Sequence, residues 1–169
     1  MSQQSPAVPV KIDAKPGQYL TFVLKTQGYG VPIGTVREIN RVVEITAVPQ
    51  TPLFVAGVMN LRGRVIPVID LRLKFGFEAV PHTRQTCIIV IEGTNGEFGA
   101  IVDSVTGVVD FSNNQIEPAP SLGSDAKMGF IMGMAKVEEN VVILVNIVEV
   151  LSKDQLLPEG TIPPVPQSA

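Results

Sequence analysis

Apolar positions along this chain recur mostly with a period of two, in short runs broken by turn residues. That period places successive side chains on opposite faces of an extended segment, so it predicts strands. Gln18–Thr26 (QYLTFVLKT) alternates, and Gln27-Gly28 is read as a turn into Tyr29–Ile33. Arg41–Thr46 is a short alternating strand that ends before Pro49. Val55–Leu61 and Arg64–Asp70 flank Arg62-Gly63, where glycine supplies the positive φ that a tight hairpin needs. Thr86–Glu92 and Glu97–Val102 flank Gly93-Thr94-Asn95-Gly96, the strongest hairpin signal in the chain. Gly107–Phe111, Gly129–Met134 and Val141–Val145 continue the series, and helix is expected only at 71–75 and 147–153.

The choice of apolar residues agrees. Valine and isoleucine total 40, against 21 for leucine and alanine. β-branched side chains fit a pleated surface and lose χ1 freedom in a helix. With 15 Gly and 14 Pro spread between the runs, the class is all-β, a barrel or a sandwich. A length of 169 residues fits one domain or two small lobes sharing a core. Residues 1–16 and the Pro-rich 154–169 read as tails around a folded 17–153.

An internal repeat refines this. Tyr29–Val36 lines up with Phe98–Val105 at an offset of 69, and Val65–Leu71 with Val141–Ile147 at an offset of 76. Gly57 matches Gly133 at the second offset. The reading is two similar small barrels, a first lobe at 18–83 and a second at 84–153. The linear halves carry net charges of +3 and −5, which fits either head-to-tail contact between copies or ordinary solvated faces.

Candidate chemistry narrows the function by exclusion. A pI near 5.1 speaks against nucleic acid as the main partner. One Cys and one His make neither a disulfide framework nor a zinc site, and the cysteine usage fits a reducing compartment. Met1–Val10 shows neither the basic start nor the apolar run of a secretion signal. Apolar runs such as Val141–Val145 fall far short of the ~20 residues of a membrane helix, so no membrane insertion is expected. His82 sits beside Pro81 in the inter-lobe connection and reads as exposed, whereas Cys87 in TCIIV reads as a buried thiol. Met128, Met132 and Met134 alternate as core residues, and Glu138-Glu139 reads as a solvated turn. No phosphate-binding glycine loop, nucleophile elbow or zinc-binding helix motif occurs. No enzyme, cofactor or metal is expected. What stands out is Asn60–Arg72, a strand, a tight turn and a buried strand, with Arg62 and Arg64 projecting from the tip where another protein can reach them.

Asn60–Arg72 (NLRGRVIPVIDLR) resembles the most recognisable stretch of the CheW family of chemotaxis coupling proteins. The likeness covers roughly residues 17–153 and includes Gln18–Thr26, Val36–Ile39 and Phe98–Asp103; Asn146 departs from it, where the family often carries Asp. The resemblance implies two SH3-like five-stranded barrels with a shared apolar core. It also implies a non-catalytic adaptor that holds the regulatory domain of a histidine autokinase against the cytoplasmic hairpin tip of methyl-accepting chemoreceptors. The adaptor is then cytoplasmic, associated with receptor arrays, with weak self-association in rings. By resemblance, Val31, Ile33, Val36, Glu38, Ile39 and Arg62 face the receptor, and Gly57, Val105 and Val108 face the kinase. Asn60, Leu61, Arg62, Gly63 and Arg64 form the signature hairpin. Two alternatives stay open: a paralogous adaptor of a pilus-motility or other chemosensory-like pathway, and a small β-barrel enzyme.

Overall fold

The computed structural model describes residues 10–11, 17–78, 80–93, 96–118 and 131–148. Its strands, in chain order, are β1 (Val10–Lys11), β2 (Gln18–Leu24), β3 (Gln27–Pro32), β4 (Val36–Arg41), β5 (Val55–Leu61), β6 (Arg64–Asp70), β7 (Cys87–Gly93), β8 (Gly96–Val102), β9 (Ser104–Asp110), β10 (Ile116–Glu117), β11 (Ile131–Val137) and β12 (Asn140–Val145), with one short helix, α1 (Leu71–Lys74). Val55–Leu61 and Arg64–Asp70 stand where the alternation puts them, and Gly93 pairs with Gly96 at the end of the expected hairpin. Three boundaries differ. Gln27-Gly28 belongs to β3, and the chain turns one step earlier, where Lys25 takes φ 61. Arg41–Thr46 is not a strand: β4 ends at Arg41 and only Thr46 bridges onward, to Val58. Here the chain rounds a barrel end, leaving one neighbour before it reaches the next. β9 starts at Ser104 rather than Gly107 because it pairs with β2 along that whole length. Residues 147–148 are helical, and the rest of the expected 147–153 helix lies outside the described residues.

The strands form two sheets, ordered β1-β4-β7-β8-β6-β5 and β10-β11-β12-β3-β2-β9. In the first, the chain beyond β4 returns to β5 through Thr46 and Val58, each N–H donating to the other's carbonyl at 2.8 and 2.9 Å. In the second, the chain beyond β9 returns as β10 onto β11. Each six-stranded sheet thereby curls into a barrel of SH3-like form, with the two-residue strands β1 and β10 at its margins. The reciprocal Thr46–Val58 pair also explains Pro67, in mid-sheet opposite Val58. Val58 has turned its polar groups away from β6, so Pro67 faces β8, and β6 and β8 pair only from Val68 onward.

The repeat is real, but its copies exchange strands. β2 and β7 match residue for residue at the offset of 69, as do Val68–Gly99 in one barrel and Leu144–Gly30 in the other at the two offsets combined. Yet β7 and β8 sit in the first barrel with β4, β5 and β6, while β2 and β3 sit in the second with β9 to β12. The sheets therefore divide into residues 36–102 on one side and 18–32 with 104–145 on the other, not at 83/84. The physical reason is the parallel pairing of β6 with β8 and of β12 with β3, which a tight turn between two strands cannot supply, so each pairing is made across a longer connection.

That exchange shrinks the charge division. Residues 36–102 hold seven basic and six acidic side chains, so the first barrel is almost neutral. Arg64 meets Glu97 and Arg72 meets Asp103 inside one molecule. Opposite charges of the linear halves partly pair within the fold. Residues 18–32 with 104–145 keep a net charge of −2, so the electrostatic argument for head-to-tail contact is weaker than the linear halves suggest.

A large shared core lies between the barrels, built from Leu20, Phe22, Ile33, Ile69, Leu71 and Ile91 among others. Each barrel adds a smaller interior, around Met59, Ile66 and Val68 in the first and Phe111, Ala135 and Leu144 in the second. Burying an aliphatic side chain contributes about 1.5–3 kcal/mol, so the shared core ties the barrels into one unit. A polar clasp crosses the same seam. Arg72, only 2% exposed, donates from Nε and Nη2 to Asp70 at 2.8 Å each, and from Nη1 to Asp103 Oδ1 and the Val80 carbonyl at 3.0 Å each. Asp103 Oδ2 in turn accepts the Lys25 N–H at 2.6 Å, in the β2–β3 turn of the other barrel. The Asp70 hydrogen bonds hold the guanidinium above its ordinary pKa, with the Asp103 bond adding to them.

Candidate docking face

The β5–β6 hairpin ends in a tight turn with Arg62 at φ 51 and Gly63 at φ 87. Two consecutive left-handed residues match the right-handed twist of the strands they join. Asn60 Oδ1 accepts the Gly63 N–H at 2.8 Å, locking the turn from the side. Glycine suits the second position, but an arginine at the first is unusual. Its side chain shows why it is held there: Nη1 and Nη2 donate to the two Glu38 oxygens at 2.7 Å each. Glu38 is nearly covered, with 8% of its side chain exposed against 52% for Arg62. A forked pair of this geometry is directional as well as strong. It pulls the Glu38 carboxyl below the ordinary glutamate pKa and lifts the guanidinium further above its own. The tip arginine expected to project freely is thus anchored across the barrel mouth.

The same end of the barrel gathers more charge, because the start of β4, the β5–β6 turn and the β7–β8 hairpin all meet there. Arg37 lies 3.2 Å from both Glu92 and Glu97, and Arg64 also contacts Glu97. Glu38 and Glu97 are buried, whereas Arg37, Arg62 and Arg64 are about half exposed. Glu38 and Glu97 neutralise from behind, and the outward surface carries three guanidinium groups beside the half-exposed Glu92. Such a surface suits partner carboxylates and carbonyls better than a bare basic patch, because the arginines are already positioned.

The other site expectations fare unevenly. Val31, Ile33 and Val36 are core residues and offer no surface. They lie where the chain passes from the second barrel to the first, and that crossing runs through the seam. Ile39, next to Glu38 on β4, is half-buried and packs against the shared core. Leu61 is buried, while Asn60, Gly63 and Arg64 are exposed. Gly57 is buried at φ 145, where an added Cβ would stand 2.1 Å from the Thr46 carbonyl oxygen. It permits barrel closure and cannot itself present a contact. Val105 is half-buried against the shared core, and Val108 is 44% exposed.

His82 is exposed, as expected. Cys87 is only half-buried: its thiol donates to the Gln85 carbonyl at 3.2 Å, and burial pushes its pKa up. Met132 is exposed rather than core, because it alternates outward on β11, and Met128 lies outside the described residues. Two features escaped sequence reasoning. The Arg72 clasp was one, although the Asp70-Leu71-Arg72 spacing around a helix start was a readable signal. The other is Leu53, 92% exposed in the loop before β5, for which periodicity gives no sign. Among the described residues, no three His, Cys, Asp or Glu side chains gather to hold a metal ion, and no helix is long and apolar enough to cross a membrane.

Comparison with known proteins places this geometry. A family description, the CheW-like domain, matches residues 18–155. The chain is 34% identical over 139 residues to the chemotaxis protein CheW of Klebsiella aerogenes, covering 82% of this chain and 84% of that one. It is also 34% identical to protein FrzA of Myxococcus xanthus, covering 75% and 79%. A crystal structure of the scaffolding protein TtCheW from Thermoanaerobacter tengcongensis superposes with a TM-score of 0.73 at 36% identity, over 85% of this chain and all of that one.

Proposed function

The chain belongs to the CheW-like domain family, and from that premise we propose that it is a scaffold of chemotaxis signalling. The observation that carries the proposal is the likeness along both barrels to proteins named for chemotaxis and for scaffolding. In this reading the protein is a non-catalytic adaptor. It links the regulatory domain of a histidine autokinase to the cytoplasmic hairpin tips of methyl-accepting receptors, and so works in the cytoplasm beside receptor arrays.

The receptor side is assigned to Arg62, Glu38 and Ile39, with Val31, Ile33 and Val36 shaping the backbone beneath. Support comes from the preset guanidinium fork, since ordering a long side chain before binding lowers the cost of using it. The kinase side is assigned to Val108, with Gly57 and Val105 acting through the shape of the barrels. Co-sedimentation with receptor-bearing membranes, with and without kinase, tests the reading. Wild-type protein is expected in the pellet, and Arg62→Ala protein in the supernatant. Equal recovery of both would overturn the receptor assignment.

A second reading has one observation in its favour, since FrzA is as similar per residue as the CheW relatives. It makes the chain a paralogous adaptor of another chemosensory-like pathway. Deleting the gene and scoring swimming against surface motility separates the two.

A further inference from the structure

The two barrels treat one equivalent edge differently. In the first, β1 adds onto the outer edge of β4, pairing Val10 with Ile39 and Lys11 with Glu38. At the repeat offset of 69, Ile39 corresponds to Val108 and Glu38 to Gly107, both on β9. β9 is the terminal strand of its sheet, paired with β2 and, among the described residues, with no strand on its other side. The positions equivalent to β1 are 79 and 80, and of these Val80 is committed elsewhere: its carbonyl accepts Arg72 Nη1 at 3.0 Å. The clasp that joins the barrels therefore withholds the segment that would have closed this edge.

The edge lacks the usual protections. From Gly107 to Asp110 it carries no lysine and no proline, and its bulge lies before this stretch, at Thr106 opposite Thr21 and Phe22. Val108 and Asp110 alternate outward on one face. We propose that β9 is a strand-docking edge for a partner protein. The occupant is an extended segment that pairs antiparallel, with a basic side chain opposite Asp110 and, two residues on, an aliphatic one opposite Val108. Main-chain hydrogen bonds supply affinity in such strand addition, and alternate side chains supply selectivity. β4 shows that the same barrel position accepts an added strand. The charges favour a basic occupant here, since Asp110 is the only charged residue of β9; in the first barrel Lys11 of the added strand stands in register with Glu38 of β4.

The inference rests on the part of the proposed function in which Val108 faces a partner, and its test does not require the kinase. An acetylated heptapeptide Ser-Lys-Gln-Val-Gln-Thr-Ser is titrated into the full ¹⁵N-labelled chain while amide shifts are followed. Saturable shifts centred on Gly107–Asp110 are expected, with binding about threefold weaker when the peptide lysine is replaced by glutamate. Asp110→Lys protein should reverse that preference. Because Asp110 is exposed, this variant is expected to fold, and its melting curve checks that. Absent shifts at β9, a preference that does not reverse, or shifts centred on Ile39 through displacement of β1 would each overturn the proposal. Concentration-dependent shifts at Gly107–Asp110 without peptide would make a second copy the occupant and overturn it too. If the peptide binds but kinase does not co-sediment, the docking edge stands and the scaffold reading falls.

Discussion

At the tip of the first barrel Arg62 occupies φ 51, and at the matching tip of the second Glu138 occupies φ 57. The backbones agree while the side chains have opposite charge. Arg62 reaches Glu38, but the position equivalent to Glu38 in the second barrel is Gly107, so the fork has no counterpart there. Gly57 and Gly133 likewise match, each lying under the chain that returns to close its barrel. Asp70 and Arg72 correspond to Asn146 and Val148, so the clasp is built from the first copy of the repeat alone. What closes a barrel is present twice, and what anchors a guanidinium face or ties the barrels together is present once. The frame is common to the two barrels, and a few side chains make their ends different.

Breaking the clasp should have the largest effect. Arg72→Met leaves Asp70 and Asp103 facing a covered site without their cation, which should cost about 3–5 kcal/mol in urea unfolding. Val148→Met, at the matching position, should cost less than about 1.5 kcal/mol. Equal losses would show that the clasp is not particular to the first copy. Replacing both Asp70 and Asp103 by Asn in the Arg72→Met background should restore part of the loss, since no buried charge is then left unpaired.

The closing glycines should separate less widely. Gly57→Ala combines a positive φ with a contact to backbone at 2.1 Å, for a loss of about 3 kcal/mol. Gly133→Ala meets the Glu117 carbonyl oxygen at 2.8 Å without that φ penalty, and about 1 kcal/mol is expected. Thermal melts of the two variants side by side make the comparison. A Gly57→Ala melt no lower than that of Gly133→Ala would contradict the clash argument.

At the two tips the contrast should appear in binding rather than in folding. Arg62→Ala should weaken association with receptor-bearing membranes by about tenfold or more, and Glu138→Ala by less than about twofold. Isothermal titration or quantitative co-sedimentation reads this directly.

The smallest effect is a pH dependence confined to the first barrel. Glu38 has a folded pKa below its unfolded one because Arg62 hydrogen-bonds its charged form. The stabilisation is therefore fully present above the ordinary glutamate value of about 4.3, and is lost as pH falls through the lower folded value. Amide exchange at the Arg62-Gly63 turn should accelerate across that acid range, beyond its intrinsic pH dependence. Glu38→Gln should remove this response, and the Glu138-Glu139 turn should not show it.

The period-two pattern and the excess of valine and isoleucine by themselves determined an all-β chain with β5 and β6 in their correct places. Local alternation is sufficient there because the two strands neighbour each other in sequence and in the sheet. The two offsets likewise revealed the duplication, since equivalent barrel positions demand the same residue sizes. Sequence also singled out Arg62, because an arginine before glycine between two strands marks a hairpin tip. Only the tertiary structure decided which hairpin joined which barrel, since β6 with β8 and β12 with β3 are parallel pairings between segments distant in sequence. That choice buried Val31, Ile33 and Val36 in the crossing between barrels, and brought Glu97 and Asp103 to arginines of the other linear half. It turned Arg62 inward onto Glu38 and took Val80 from the edge of β9. Ion pairing and burial at the seam depend on neighbours across the fold, which periodicity along the chain does not specify.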